Sequence, residues 1–253
     1  MIIDRFQLKN KTALVTGASA GLGAAMAVAL AEAGTDVVCH GNSRSPEPTC
    51  QKIRQIGRCA AALQSDLSQD GAAQDLFARA EKFAPIDILV NNAGLLHRSR
   101  AIEYSDQDWT AVLQVNLNSL WKLCQCAGKS WMRKKERGKI INIASVLAFQ
   151  GGINVAAYAA SKGAVAQLTK ALANEWAGQG INVNAIAPGY MRTDNTASLR
   201  HDEGRNRQIL ERIPAGRWGE PDDLCGAAVF LASPASDYVQ GHVLVVDGGW
   251  LGR

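Results

Sequence analysis

Short apolar runs rich in β-branched residues recur along the chain, each ending in a glycine- or amide-bearing turn and followed by a longer stretch of helical periodicity. The runs are KTALVT at 11–16, TDVVCH at 35–40, the segment 60–64, IDILV at 86–90, KIINI at 139–143, INVNAI at 181–186 and the segment 243–246. They are too short for helices and have the composition of buried strands. Between them lie AAMAVALAEAG with Gly34 as its C-cap, PTCQKIRQIG, DGAAQDLFARAEKF, a long helix over 109–126, another running to about 177, and a helix at 222–232. Strands that alternate with helices predict a mostly parallel sheet covered on both faces, an α/β doubly wound fold. Right-handed crossovers bring the C-terminal strand ends to one edge, so the turns at Gly17, Asn91, Ser145 and Pro188 open together where such sheets bind ligands. No linker, repeat or low-complexity segment divides the chain. It reads as one domain over 1–253, with an insertion at about 190–217 that has the character of a substrate loop.

Composition narrows the class. The chain is 47% hydrophobic and 20% charged over 253 residues, enough to bury a core without staples. Net charge is +4, and the basic cluster Arg133-Lys134-Lys135 with Arg137 marks a solvated helix end, so nucleic acid is no expected partner. Six cysteines include no Cys-x-x-Cys and no zinc-ligand spacing, which reads as free thiols in a reducing compartment with no metal. The first ten residues lack a signal-peptide core, and no run approaches the roughly 20 apolar residues of a membrane span. A cytoplasmic protein with no membrane partner is expected.

Chemistry gathers at the turns. Gly17, Gly21 and Gly23 lie between a strand and a helix, the context of a phosphate-binding loop, although a plain strand–helix turn uses the same residues. The second strand ends in Gly41-Asn42-Ser43-Arg44 without a carboxylate before Glu47, so Ser43 and Arg44 either meet a 2′-phosphate or form an exposed turn. Asp66 is suited to an adenine amino group or to a helix cap, and the turn Asn91-Asn92-Ala93-Gly94 suits a flat ligand. Tyr158 and Lys162, four apart, share one helix face. The ammonium is expected to lower the phenol from its ordinary value near ~10. Ser145 stands ready to donate to a substrate oxygen.

The ordered set TGASAGLG at 16–23, Asp66-Leu67, NNAG at 91–94, Asn116, Ser145, YAASK at 158–162 and Pro188-Gly189 resembles the short-chain dehydrogenase/reductases over nearly the whole chain. The resemblance implies a single Rossmann-type domain with a seven-stranded parallel sheet, an NAD(H) or NADP(H) cofactor and a homotetramer. It implies Tyr158 as acid–base, Ser145 on the substrate oxygen, Lys162 on the phenol and nicotinamide ribose, and Asn116 holding a relay water. Gly17, Ser19, Gly21, Leu22 and Gly23 would meet the pyrophosphate. Asp66 and Leu67 would meet the adenine, Asn92, Ala93 and Gly94 the ribose region, and Pro188, Gly189 and Thr193 the nicotinamide end. NAGLLHR at 92–98, INIASVLAFQGG at 141–152 and IPAGRWGEPDDL at 213–224 are further similar to the branch acting on sugar acids of the 2-dehydro-3-deoxy-D-gluconate type. That branch favours NAD(H), whereas Ser43 and Arg44 favour NADP(H). A sugar-acid carboxylate calls for arginine, for which Arg98, preferred, and Arg192 are candidates, with Gln150 and Asn154 for hydroxyls. The alternatives are a gluconate 5-dehydrogenase, a reductase of neutral ketones, sugars or acyl thioesters, and a non-catalytic NADP sensor.

Overall fold

In the computed structural model, which describes residues 1–253, seven strands form one parallel sheet in the order β3-β2-β1-β4-β5-β6-β7. They are β1 (Thr12–Val15), β2 (Asp36–Gly41), β3 (Ala60–Gln64), β4 (Ile88–Asn91), β5 (Gly138–Ile143), β6 (Ile181–Pro188) and β7 (Val243–Val246). Strand order reverses between β1 and β4, where β1 pairs with both β2 and β4. A crevice opens at that point in such sheets, above the carboxyl ends of the strands.

Successive strand residues face opposite sides, so both faces must be covered. Leu14, Val38, Leu89, Ile140 and Val183 pack under α3 (Ala72–Phe83), α5 (Leu120–Lys134) and α6 (Ala156–Trp176). Ala13, Val15, Val37, Ile88 and Ile141 pack under α1 (Gly21–Glu32), α2 (Glu47–Gln55) and α9 (Cys225–Ala232). This double burial is why the strands read as continuous apolar runs. All six cysteines are free thiols, and no helix is long and apolar enough to cross a membrane.

Two features beyond the sheet shape the site. The sequence predicts one helix through 109–126; instead α4 (Asp106–Leu113) passes into α5 through a π-helical segment, Gln114–Ser119. Such a wider turn inserts a residue and re-aims its neighbours, here Asn116. The polar insertion is helical in part, including its EGRNRQILER stretch. It folds as α7 (Ala197–His201) and α8 (Glu203–Arg212), with Asp202 capping α8 by accepting from the Arg205 N–H at 2.9 Å.

Ile209 and Ile213 anchor this segment in a third apolar cluster with Val146, Trp218 and Trp250. The Tyr190 ring meets Trp218 edge-on at 5.6 Å and Trp250 at 4.5 Å. Trp218 and Trp250 are thus packing residues.

Candidate active site

The glycine turn is held from beneath. Gly17 has φ +65°, the left-handed region that glycine enters without steric strain. Its N–H donates to His40 Nδ1 at 3.3 Å, and His40 Nε2 lies 2.9 Å from the Ser65 carbonyl oxygen. That pairing requires the neutral tautomer protonated at Nε2, and burial lowers the His40 pKa in the same direction. Asn92 closes the other side. Its Nδ2 donates to the Thr16 and Gly17 carbonyls at 2.9 and 3.1 Å, while Thr16 Oγ1 accepts from the Asn92 and Ala93 N–H groups, each at 3.0 Å.

The amide expected to lie against a ligand therefore holds the turn itself. At Gly23 a methyl would fall 2.8 Å from the Gly17 carbonyl carbon, so only glycine lets α1 begin so close to the turn. No side chain caps α1 and its first turn holds no acidic residue, which leaves its N–H groups and positive dipole end for an anion. These residues fit a dinucleotide pyrophosphate.

Beside the turn, Ser19 Oγ donates to the Arg44 carbonyl at 2.6 Å, fixing the backbone of the turn after β2 rather than pointing at a ligand. The Arg44 guanidinium is exposed and lies 3.8 Å from the exposed Asp194 carboxylate. Gln64 Nε2 donates to the Asn42 and Ser43 carbonyls, so Ser43 is held by its main chain. Asp66 caps no helix, since α3 begins after Gly71. It accepts from the Ser68 N–H at 3.0 Å and Gln69 Nε2 at 3.2 Å, bonds that lower its pKa. Leu67 is buried, and its carbonyl accepts from Ser119 Oγ at 2.5 Å.

Tyr158 and Lys162 occupy the first two turns of α6, with Lys162 Nζ 5.5 Å from the phenol ring centroid. Lys162 is 4% exposed and donates to the Ile143 carbonyl at 2.6 Å; burial pulls its pKa down to about 8. Burial also pushes Tyr158 up to about 12, opposed by a hydrogen bond from Ser145 and by the charge of Arg98. The lowering expected from Lys162 is therefore not found: desolvation leaves the phenol above its ordinary value, and the groups that pull it down are Ser145 and Arg98.

Ser145 Oγ also accepts from the Leu147 N–H at 3.1 Å, which orients it. Asn116 is fully buried in the π-helical turn. Its Nδ2 donates to the Leu95 carbonyl at 3.0 Å and to Ser161 Oγ at 3.1 Å, and its Oδ1 accepts from the Leu95 N–H at 2.7 Å. Both donors are satisfied by protein, while Oδ1 keeps one lone pair.

A cavity of about 420 Å³ adjoins these groups, with Ser145, Tyr158, Arg98, Asn154, Thr193 and Arg205 on its walls together with Leu22, Pro188 and Gly189. No acidic side chain lines it. Arg98 reaches only the Asn195 carbonyl, at 3.5 Å.

Two expected substrate residues lie off this wall. Arg192 pairs with Glu220 at 2.9 Å. Gln150 accepts from Arg212 at 3.0 Å, and that guanidinium stacks 4.1 Å over the Trp250 ring. Arg205 was not foreseen. The available signal was its place one helical turn before Ile209, on the apolar face of EGRNRQILERI.

A glycine cradle for a dinucleotide beside a half-buried Tyr158 with buried Lys162, Ser145 and Asn116, on a seven-stranded parallel sheet, defines a nicotinamide-dependent oxidoreductase acting on CH–OH groups. The chain belongs to the short-chain dehydrogenase/reductase family: residues 17–251 match the family model described as enoyl-(acyl carrier protein) reductase. The 2-dehydro-3-deoxy-D-gluconate 5-dehydrogenase of Bacillus subtilis (strain 168) is 56% identical over 99% of this chain and 98% of its own. That of Escherichia coli (strain K12) is 52% identical over the full length of both. The gluconate 5-dehydrogenase of Burkholderia cenocepacia J2315, solved with NADP and tartrate, superposes with a TM-score of 0.92 at 39% identity, covering 100% of each chain. An Agrobacterium tumefaciens protein solved with bound NADP superposes at 0.94 with 54% identity, over 98% of this chain and 99% of the other.

Proposed function

We propose that the protein interconverts the secondary alcohol and ketone of a sugar acid of the 2-dehydro-3-deoxy-D-gluconate type, using NADP(H). The observation that carries this reading is the charge of the cavity. Two guanidiniums without an acidic partner, Arg98 and Arg205, line it, and no carboxylate does, so the balancing anion arrives with the substrate. The names of the full-length relatives support the same class.

When bound, the cofactor supplies or accepts the hydride. Gly17, Gly21, Leu22 and Gly23 hold its pyrophosphate, Asp66 and Leu67 border the adenine, Ala93 and Gly94 the ribose, and Pro188, Gly189 and Thr193 the nicotinamide end. Arg44, engaged only by an exposed carboxylate at 3.8 Å, is available to a 2′-phosphate. Ser145 Oγ donates to the substrate oxygen, and Tyr158 gives that oxygen a proton in reduction and takes it back in oxidation. Lys162 supplies a buried cation close to the phenol, and the free lone pair of Asn116 Oδ1 holds a water for proton exchange. The segment 190–217 closes over the substrate. Fully exposed Tyr238 and exposed Ile102 support an assembly of copies, taken here as a homotetramer in the cytoplasm.

The test is the initial rate of oxidation of 2-dehydro-3-deoxy-D-gluconate, D-gluconate and neutral alcohols with NADP⁺ and NAD⁺, for the native enzyme and Tyr158→Phe. Sugar-acid oxidation, faster with NADP⁺, is expected, with a loss of at least ~10²-fold in the variant while cofactor binding survives. Turnover of neutral alcohols alone refutes the substrate class, and an unchanged Tyr158→Phe rate refutes the mechanism.

A further inference from the structure

Arg205 stands out among the charged residues of α8 because it faces inward. Ile209, four residues on, is 1% exposed, and residues four apart share a helix face. Arg205 is accordingly half-buried and lines the cavity that holds Tyr158. Its guanidinium has one side-chain partner, the neutral Gln208 Oε1 at 3.1 Å from NH1, whereas other arginines such as Arg54, Arg192 and Arg217 each meet a carboxylate. An inward arginine with no counter-charge loses hydration without compensation unless an anion comes to it.

The helix presenting Arg205 is fixed rather than loose. Asp202 caps it, Asn206 Oδ1 accepts from Trp218 Nε1 at 2.7 Å, and Arg212 stacks on Trp250 at 4.1 Å. Arg98 reaches the same cavity from the turn after β4, and its charge is the one felt at the Tyr158 phenol. Both cations therefore line the space that holds Tyr158.

We infer that Arg205, the cavity-lining guanidinium on α8 without a carboxylate partner, binds the carboxylate of the substrate, whereas Arg98 acts on the Tyr158 phenol. This rests on the sugar-acid reading above. It makes α8 part of the recognition surface: substrates are selected by a charged group several carbons from the one oxidised. A guanidinium matches a carboxylate bidentately, which sets orientation as well as affinity.

Arg205→Ala, Arg205→Lys and Arg98→Ala are compared with the native enzyme on 2-dehydro-3-deoxy-D-gluconate and on its C1 carboxamide. Arg205→Ala is expected to raise KM for the acid by about 10- to 100-fold with kcat within a few-fold, and to raise KM for the carboxamide far less. Arg205→Lys recovers part of the loss. Arg98→Ala acts on kcat and moves the acid limb of the kcat–pH profile for oxidation upward, which Arg205→Ala does not.

Equal KM effects on acid and carboxamide, or a loss confined to kcat, overturn the assignment. Thermal unfolding and NADPH titration of each variant verify the fold, and Arg205→Gln replaces the alanine variant if that one fails to fold. A native enzyme that oxidises no sugar acid overturns the underlying reading and this inference with it. A native enzyme that does, alongside an Arg205→Ala of unchanged KM, overturns this inference alone.

Discussion

Gly23→Ala tests the cofactor cradle without touching a catalytic group. The added methyl would lie 2.8 Å from the Gly17 carbonyl carbon, and nearer still to its oxygen and to Asn92 Nδ2. Backbone cannot swing aside as a side-chain end can, so either α1 backs away from the turn or Asn92 is displaced. Displacing Asn92 loses its bonds to the Thr16 and Gly17 carbonyls, at 2.9 and 3.1 Å. Two such bonds contribute about 0.5–1.5 kcal/mol each, and overpacking adds about 1–3 kcal/mol. The expected loss is about 2–6 kcal/mol.

For a chain of 253 residues, that corresponds to a melting temperature lower by roughly 4–24 °C, at about 2–4 °C for each kcal/mol. The NADPH Kd should rise at least ~10-fold, because the misplaced N–H groups are those that meet the pyrophosphate. Calorimetry of the free enzyme and fluorescence titration with NADPH measure the two effects. Gly226→Ala is the control: its methyl meets nothing within 4 Å on an exposed turn of α9, so it should stabilise by about 0.5–1 kcal/mol. A Gly23→Ala enzyme with native melting temperature and Kd would refute the close-approach argument.

Lys162→Met should change how stability responds to pH. The folded-state value is about 8 against an ordinary 10.5, so between those values the unfolded chain binds more protons and stability rises with pH. The burial penalty is fully present below about 8 and fades towards 10.5. The variant loses this rise, up to about 1.4 kcal/mol per pH unit, and urea midpoints at several pH values across that window give the slope. Parallel curves for variant and native would contradict the burial of a charged Lys162. Arg192→Ala, which breaks the exposed pair with Glu220, should leave KM for the sugar acid within twofold and stability within ~1 kcal/mol. A tenfold rise in KM would return Arg192 to the substrate.

Local order was legible because it is written in local terms. The strand at 139–143 and the helix that follows the Ser145 turn were visible because backbone preference and face periodicity act over a few residues. Parallel pairing with right-handed crossovers then places the turns at Gly17, Asn91, Ser145 and Pro188 on one edge. The π-helical segment Gln114–Ser119 was not visible, since its extra residue is stabilised by Asn116 bonding Leu95 and Ser161 rather than by its own composition.

Sequence by itself determined the sheet, the glycine turn and the i, i+4 pairing of Tyr158 with Lys162, since each follows from periodicity, turn chemistry and chain direction. Only the tertiary structure decided which polar side chains face the cavity. Arg192 and Gln150 sit in well-marked motifs, yet Glu220 and Arg212, distant in the chain, engage them elsewhere. Arg205 carries no motif and reaches the cavity because Ile209, Trp218 and Trp250 set the rotation of α8. Which partner a charge finds is a property of three-dimensional neighbours, and a linear pattern does not encode it.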